Sequence, residues 1–361
     1  MTSARPLVRV RSLGGYVPTR VLTNADLERL VDTTDEWIMA RTGIRERRLV
    51  EPGTPTSALA TRAARHALAA ADLPASALDL ILVATVTPDM SFPPTACIVQ
   101  ENLKATNAWA LDLNGACSGF VYALTTGAQL VATGAHRNVL VIGADTMSTI
   151  VDYTDRGTCI LFGDGAGAAI LSPSEDDTGI VAFDHECDGS GGDLVILPAG
   201  GSALPPSHAT VDAKQHTIHM NGNPIFKFAV RKMAELPARI LASQGLGPQD
   251  VALYVAHQAN ARIIEAAAQR LGLPAERVLL NIEHYGNTTA ATIPLALCDA
   301  VEDDRLSHGD WVVLTSVGAG LTVGTVLMRW TDTPARFENR VVAPPRGADP
   351  ARPPARPAGT A

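Results

Sequence analysis

The chain has 361 residues, of which 46% are hydrophobic, and its formal net charge is −8. This length is sufficient for one large core or two fused cores. A negative net charge excludes a protein whose whole surface binds nucleic acid. The sequence shows neither a secretory signal pattern nor a run of roughly 18 apolar residues that would predict a membrane span, so we expect a cytoplasmic protein.

The cysteines are scattered and form no CxxC pair. An odd number of them, spread over this length, argues against a disulfide framework and against a zinc site. Each is therefore predicted to be a free thiol. They are Cys97, Cys117, Cys159, Cys187 and Cys298.

Apolar runs rich in β-branched residues alternate with alanine-rich stretches along the chain. The first clear strand is predicted at 77–85, a helix runs from Phe120 toward Val131, and another strand follows at 138–144. This alternation is typical of βαβ units around buried parallel strands. The fold class is predicted to be α/β.

The chain also repeats itself at a constant offset of 173 residues. Residues 114–124 match 287–297, and the strand at 139–141 matches 312–314 in the same register. An unchanged spacing through helix and strand favours a duplicated unit. We expect two halves, at 1–177 and 178–330, related by a pseudo-twofold axis.

Two further segments are interpreted from composition. FGDGAGA (162–168) lacks the spacing of a dinucleotide-binding fingerprint and is predicted to be a close-packed, glycine-rich strand region. After Trp330 the chain becomes rich in Pro, Ala and Arg without hydrophobic periodicity, so 331–361 is predicted to be a disordered tail.

Cys117 follows the strand-like segment AWALDL and precedes a helix, which places it at a strand-to-helix elbow. Unpaired N–H groups at a helix start favour a thiolate, so the sequence predicts a lowered thiol pKa. The alternative is a small residue that packs where a helix meets a sheet.

His257 and Asn287 lie at comparable junctions of the second half. His257 ends the apolar strand VALYVA, and Asn287 opens a helix after a glycine. Either residue alone is as easily a structural histidine or an ordinary turn residue. Because the repeat brings these junctions close to that of Cys117, the three side chains are predicted to form one site with a neutral imidazole and an amide donor.

Six segments resemble the motif set of the β-ketoacyl-ACP synthase III family, in its order and spacing, over residues from about 7 to 330. They are DTTDEWIMARTGIRERR, LDLNGACSGF, DRGTCILFGDGAGA, HQANARI, HYGNTTAA and SVGAGLTVG. The resemblance implies a thiolase-like fold, with buried mixed sheets between layers of helices. It also implies an acyltransferase that begins fatty acid or related polyketide synthesis.

In such an enzyme Cys117 takes an acyl group from acyl-CoA and then condenses it with malonyl-ACP, which loses carbon dioxide. The resemblance assigns His257 and Asn287 to the malonyl thioester oxygen, and the backbone N–H groups of Cys117 and Gly320 to an oxyanion hole. It implies neither a metal nor an organic cofactor.

The resemblance also implies binding residues around this centre. Trp37, Arg41 and Arg156 match positions that hold the CoA adenine and phosphates, and Asn260 matches a contact to the pantetheine arm. Phe92 resembles a residue that closes the acyl pocket of the partner across a homodimer interface. Basic residues near the expected mouth are candidates for docking the acidic carrier protein: Lys227, Arg231, Lys232, Arg262 and Arg270.

Three alternatives remain at this point. A related acyltransferase of specialised metabolism would pass the acyl group to an alcohol or amine without decarboxylation. A papain-like cysteine hydrolase has the same chain order of Cys, His and Asn, although its spacing and context differ. An inactive partner subunit of the same fold would lack the nucleophile, which this chain has.

Overall fold

In the computed structural model, which describes residues 7–342, a mixed sheet of ten strands runs through the molecule and helices cover it. The predicted α/β class is confirmed. The strands are β1 (Val8–Tyr16), β2 (Arg20–Thr23), β3 (Glu46–Leu49), β4 (Leu80–Ala84), β5 (Trp109–Leu113), β6 (Val139–Thr146), β7 (Asp164–Pro173), β8 (Gly179–Cys187), β9 (Val195–Ile196), β10 (His219–Met220), β11 (Val251–Ala256), β12 (Trp311–Gly318), β13 (Thr322–Arg329) and β14 (Ala335–Glu338).

The helices alternate with these strands along the chain. They are α1 (Asn24–Leu27), α2 (Asp35–Thr42), α3 (Thr56–Ala70), α4 (Thr95–Leu103), α5 (Gly119–Ala132), α6 (Arg156–Cys159), α7 (His208–Asp212), α8 (Gly222–Ser243), α9 (Ala261–Leu271), α10 (Ile282–Tyr285) and α11 (Thr292–Glu302). No helix within residues 7–342 is long and apolar enough to cross a membrane.

The order of the large sheet is β11-β12-β13-β8-β1-β7-β6-β4-β5, with β14 beside β1. Strands of the first half occupy one end and strands of the second half the other. The sequence β4-β6-β7-β1 has the same parallel and antiparallel pairings as β11-β12-β13-β8. This correspondence supports the predicted duplication.

Helices α5 and α11 lie between the two halves of the sheet. Phe120 of α5 and Leu297 of α11 belong to one buried cluster, which also contains Leu82 of β4 and Val255 of β11. The other face of β4 and β6 packs against α3. Because α5 and α11 are neighbours in the central layer, the turns that precede them meet at one place.

The glycine-rich segment at 162–168 enters β7, whose residues are almost all buried. A Cβ added at Gly167 would lie 2.6 Å from Pro294, so α11 approaches the β7 backbone closely. The prediction of a close-packed strand region is confirmed. The cysteines, all within the described residues, are free thiols as predicted.

The prediction that disorder begins at residue 331 is wrong for 331–342. Strand β14 pairs in parallel with β1, and Arg340 forms an ion pair with Asp299 of α11 at 2.8 Å. Phe337 also packs against the Tyr285 ring. Specific pairing and burial compensate for the weak hydrophobic pattern of this stretch. The remainder of the predicted tail, 343–361, lies outside the described residues.

Candidate active site

Cys117 lies at the predicted elbow between β5 and α5. It is the middle residue of a short 3₁₀ turn, 116–118, and α5 begins at Gly119. The preceding Ala116 has φ of +48°, in the left-handed region that residues with a side chain seldom adopt. The turn therefore holds a half-buried thiol just ahead of the helix.

The electrostatic environment of this thiol differs from the prediction. Burial and, to a smaller extent, the nearby negative charge of Asp145 raise the pKa of the Cys117 thiol to about 12. The expectation of a lowered pKa is therefore wrong, because loss of solvation outweighs the favourable helix start. In the free enzyme the sulfur is a neutral thiol at neutral pH.

His257 follows the end of β11, and its imidazole is only 2% exposed. Burial lowers the pKa of His257 to about 3, so the ring is neutral at physiological pH, as predicted. The Nδ1 atom of the ring lies 2.7 Å from the hydroxyl of Thr292, the first residue of α11. The backbone N–H of His257 donates to the Thr315 carbonyl of β12 at 2.8 Å.

Asn287 lies in the turn that leads into α11. Its backbone N–H donates to the Leu161 carbonyl, and its side-chain Oδ1 accepts the Thr289 N–H, both at 2.9 Å. Thr289 has φ of +51°, close to the value at Ala116. Since Oδ1 is occupied by the main chain, the amide Nδ2 is the part of this side chain that remains available as a donor.

A continuous set of contacts joins these three positions. The Ser316 hydroxyl of β12 donates to the Cys117 carbonyl at 2.8 Å, and the neighbouring residue Thr315 accepts from His257. Thr292 contacts both His257 and the carbonyl of Thr289, two residues from Asn287. The three predicted residues are therefore brought to one place between the halves.

Asp145, at the end of β6, is a buried residue that sequence reasoning missed. Its Oδ1 accepts the N–H groups of Val86 and Thr87 and the hydroxyl of Thr85. Its other oxygen accepts the Thr289 hydroxyl. An aspartate that ends an otherwise apolar strand is the signal that identifies it, because an unpaired buried carboxylate is too costly to tolerate.

Asp145 and Gly318 occupy matching places, 173 residues apart, at the ends of β6 and β12. Asp145 lies beside the turn before α11, where it accepts the Ala290 N–H at 3.4 Å. Gly318 lies beside the turn before α5, where an added Cβ would be 2.8 Å from the Cys117 nitrogen. The carboxylate of Asp145 thus occupies the space beside the turn before α11. The space beside the turn before α5 is left open, because Gly318 has no side chain.

The predicted second oxyanion donor, Gly320, lies in the turn between β12 and β13. The Thr322 hydroxyl that follows it donates to the Gly115 carbonyl at 3.0 Å. This bond fixes the β12–β13 turn against the Cys117 turn. The two proposed backbone donors therefore belong to segments in direct contact.

Trp37 of α2 is flanked by two guanidinium groups. The Cζ atoms of Arg41 and Arg156 lie 5.1 and 4.8 Å from the centre of its ring, within the range of cation–π attraction. Arg156 also donates to the Asp32 carbonyl at 2.8 Å. The structure brings these three predicted residues together. For a purine to fit between the indole and either arginine, the guanidinium group of that arginine would have to move away from the ring.

Asn260 lies at the start of α9, and both ends of its side chain already have partners. Oδ1 accepts the Arg262 N–H and Nδ2 donates to the Arg41 carbonyl, each at 2.9 Å. The residue thereby links α9 to α2. The second N–H of Nδ2 stays available for a contact to a pantetheine arm, because an amide NH₂ carries two donors.

The predicted basic residues separate into different environments. Arg262 stacks on Phe226 at 5.6 Å, which places it near Lys227 on α8. Lys232, by contrast, is 17% exposed and pairs with Glu186 at 2.5 Å, so its charge is already compensated. The exposed members of the set are Lys227, Arg231, Arg262 and Arg270.

Phe92 projects from the loop between β4 and α4 and is 83% exposed. Met90, in the same loop, is 48% exposed. The backbone N–H of Thr95, which follows this loop, donates to Asp112 of β5, the strand at one end of the large sheet. Large exposed apolar side chains beside an open sheet edge are typical of an interaction surface.

Comparison with known proteins places the chain in a family. Residues 111–189 match the family model of 3-oxoacyl-[acyl-carrier-protein] synthase III, and residues 241–330 match the model of its C-terminal part. The β-ketoacyl-[acyl-carrier-protein] synthase III of Solibacter usitatus is 54% identical over 328 residues, which are 90% of this chain and 99% of that protein. The enzyme of the same name from Desulfitobacterium hafniense is 50% identical over 324 residues, 90% and 98% of the two chains.

Solved structures agree. The 3-oxoacyl-[acyl-carrier-protein] synthase III of Aquifex aeolicus is 44% identical, with a TM-score of 0.83, and the match covers 90% of this chain and 100% of that one. A priming β-ketosynthase from the R1128 polyketide pathway is 33% identical, with a TM-score of 0.84 and coverage of 92% and 99%. Relatives this similar, matched over nearly their whole length, show that the chain belongs to the β-ketoacyl-ACP synthase III family of thiolase-fold acyltransferases.

Proposed function

We propose that the protein is a condensing enzyme that joins an acyl group from acyl-CoA to malonyl-ACP and so initiates the synthesis of a fatty acid or a related polyketide. The observation that carries this proposal is the set of contacts that joins the Cys117 turn, His257 and Asn287 in a chain of this family. Membership of the family indicates the class of reaction. The contacts among Cys117, His257 and Asn287 support a separate role for each side chain.

In the first half-reaction the Cys117 sulfur attacks the thioester carbonyl of acyl-CoA. The oxygen gains negative charge, which the N–H groups of Cys117 and Gly320 stabilise. The bond to the CoA sulfur then breaks and the acyl group remains on Cys117. The sulfur of Cys117 gives up one proton and the departing CoA gains one, so no external acid or cofactor is needed.

In the second half-reaction malonyl-ACP binds to the acylated enzyme. As carbon dioxide leaves, the bonding electrons pass into an enolate whose oxygen accepts hydrogen bonds from His257 and Asn287. A neutral imidazole suits this step, since a buried charge is not required. The enolate carbon attacks the acyl carbonyl, the sulfur of Cys117 leaves and is reprotonated, and a β-ketoacyl-ACP is released.

The group of Trp37, Arg41 and Arg156 is proposed to bind the nucleotide end of CoA. The indole supplies a flat apolar face for the adenine, and guanidinium groups pair well with phosphate oxygens. Asn260 is proposed to contact the pantetheine arm through the second N–H of its amide, while the first remains bonded to the Arg41 carbonyl. Trp37 and Arg41 lie on α2 and Arg156 lies on α6, whereas Asn260 caps α9 three residues after His257.

The carrier protein is proposed to dock on the exposed basic residues of α8 and α9. Lys227 and Arg231 are four residues apart and so share one face of α8. Arg262 adds a third positive charge beside them. In a chain of net charge −8, such a local patch is what an acidic partner would recognise.

A homodimer is proposed to cover the surface that carries Phe92 and the open edge at β5. Phe92 would then enter the acyl pocket of the partner subunit and limit the chain length it accepts. We also propose a cytoplasmic location, where acyl-CoA and the carrier protein are available. Sedimentation of the purified protein tests the dimer, and a Phe92→Ala variant tests the pocket through its primer preference.

The central test follows the acyl group. The wild type, incubated with radiolabelled acetyl-CoA, should become labelled, and Cys117→Ala should not. His257→Ala and Asn287→Ala should still become labelled, yet release no carbon dioxide from malonyl-ACP. A labelled Cys117→Ala variant, or normal condensation by either of the others, contradicts the proposed roles. A wild type that loads acyl groups but makes no β-ketoacyl product from a panel of primers points instead to non-decarboxylative acyl transfer.

A further inference from the structure

The imidazole of His257 has one hydrogen-bond partner among the described residues, the hydroxyl of Thr292. The bond joins Nδ1 to Oγ1 over 2.7 Å. Since the ring is 2% exposed, bulk water does not reach Nδ1 as an alternative partner. Nε2 is the nitrogen left to face a substrate, and Thr292 is therefore placed to influence what Nε2 can do.

A neutral imidazole carries one proton, on either nitrogen. In the proposed function His257 donates a hydrogen bond to the enolate oxygen, which requires the proton on Nε2. Nδ1 must then be an acceptor and needs a donor of its own. Within residues 7–342 the hydroxyl of Thr292 is the group that can supply it.

That hydroxyl has two acceptors to choose between. Oγ1 of Thr292 lies 2.7 Å from His257 Nδ1 and 3.0 Å from the Thr289 carbonyl. The Thr289 carbonyl already accepts the backbone N–H of Thr292. The hydroxyl can therefore donate to the ring without leaving the carbonyl unpaired, whereas Nδ1 has no second donor among these residues.

We propose that Thr292 is a positioning residue, whose hydroxyl donates to His257 Nδ1 and so holds the imidazole proton on Nε2, where the proposed condensation uses it. This inference rests on the proposed function. Thr292 itself does not touch the substrate. It acts from the first residue of α11, the helix whose preceding turn also supplies Asn287, so one segment orients both donors to the enolate.

Nitrogen NMR of protein labelled with ¹⁵N-histidine reads the proton position directly. Among the signals of the nine histidines, those of His257 are identified by their absence from the spectrum of a His257→Gln variant. We expect the His257 signals to show a protonated Nε2 and a bare Nδ1 in the wild type. A protonated Nδ1 would overturn the proposal without any need for a Thr292 variant.

Two variants then test the consequence for catalysis. Thr292→Val keeps the shape of the side chain but has no hydroxyl, and its decarboxylation of malonyl-ACP should fall about 10- to 100-fold in kcat with little change in KM. Thr292→Ser keeps the hydroxyl and should retain most of the wild-type rate. Full activity of Thr292→Val, or equal losses in both variants, contradicts the role of the hydroxyl.

Acyl loading separates this inference from the proposed function on which it rests. Labelling of Cys117 by radiolabelled acetyl-CoA should be the same in Thr292→Val and in the wild type, which also shows that the variant is folded. If the wild type itself fails to load an acyl group, the proposed function has failed. If loading is normal and decarboxylation by Thr292→Val is unimpaired, only the role of Thr292 has failed.

Discussion

Asp145 and Gly318 end matching strands of the two halves, and each lies against the backbone of a strand-to-helix turn that the opposite half contributes. The carboxylate of Asp145 accepts the Ala290 N–H. At the other turn Gly318 offers no side chain to the N–H of Cys117. The proposed oxyanion hole thus exists where the matching carboxylate is missing.

The first prediction concerns Gly318→Ala. An added Cβ would be 2.8 Å from the Cys117 nitrogen and 2.9 Å from that of Ser118, so it would displace or cover the proposed donor. We expect both acyl loading and condensation to fall by about 100-fold or more, because the loss of one oxyanion donor costs roughly 3 to 4 kcal/mol. Gly201→Ala, where an added Cβ meets nothing within 4 Å, is the matched control and should keep its full rate.

A second prediction concerns Asp145→Asn. The amide NH₂ of an asparagine would replace one of the two carboxylate oxygens. It would then face either the N–H groups of Val86 and Thr87 or the Thr289 hydroxyl and the Ala290 N–H, which are themselves donors. We expect a loss of about 2 to 4 kcal/mol in the free energy of unfolding, since a buried donor is left without an acceptor. Denaturant titration measures it, and the exposed Asp193→Asn is the control. Equal stability of the two variants would contradict the anchoring role.

The third prediction concerns pH. Because the folded protein raises the pKa of the Cys117 thiol to about 12, its thiolate fraction is small at neutral pH and grows as the pH rises. Alkylation of Cys117 by iodoacetamide should therefore accelerate about tenfold per pH unit from pH 7 to pH 10, without a plateau. The measurement must follow the Cys117 peptide by mass, since Cys97 and Cys187 are exposed. An alkylation rate that stays constant from pH 7 to pH 10 would indicate a stabilised thiolate instead.

Arg340 allows a fourth prediction, about the C-terminal strand. Its partner Asp299 is 7% exposed, and Arg340→Gln leaves that carboxylate without its positive partner. We expect a loss of about 3 to 5 kcal/mol of stability at pH 8. Burial already raises the pKa of Asp299 to about 6, and removal of Arg340 raises it further. The loss of stability, measured by denaturant unfolding, should therefore shrink as the pH falls from 8 toward 6, and it should level off below that value, where the group is neutral in both proteins.

A fifth prediction tests the proposed docking surface. Charge reversal of Lys227 and Arg262 to Glu should raise the KM for malonyl-ACP by about tenfold or more, and the effect should weaken at high salt. Loading from acyl-CoA should be unaffected. Arg137→Glu, at an exposed position just before β6 and outside α8 and α9, is the control. An equal effect in the control would locate the carrier protein elsewhere.

The sequence was most informative where periodic patterns and rare motifs coincide. The apolar runs of β4 and β6 predicted buried strands, and the segments around Cys117, His257 and Asn287 indicated junctions that the structure brings together. These features depend on local pattern and on a repeat of constant spacing, both of which can be read from one chain.

Other features depend on contacts between distant residues and left no clear pattern. Asp145 was missed because its donors come from loops that sequence spacing does not connect. The thiol pKa was predicted in the wrong direction because burial, which depends on packing of both halves, exceeds the effect of the helix start. Strand β14 was missed because the contacts that hold it are made with distant parts of the chain. Its partner β1 lies more than 300 residues away, and α11 lies about 40 residues away.

The two positive φ angles, +48° at Ala116 and +51° at Thr289, have a consequence for how active sites are recognised. A strained backbone beside a nucleophile invites the conclusion that the strain was selected for chemistry. Here the same strain occurs at the matching turn, which carries an alanine where the first turn carries cysteine. The unusual backbone conformation is therefore common to both repeated units. Only the side chains differ between the turn that carries the nucleophile and the turn that does not.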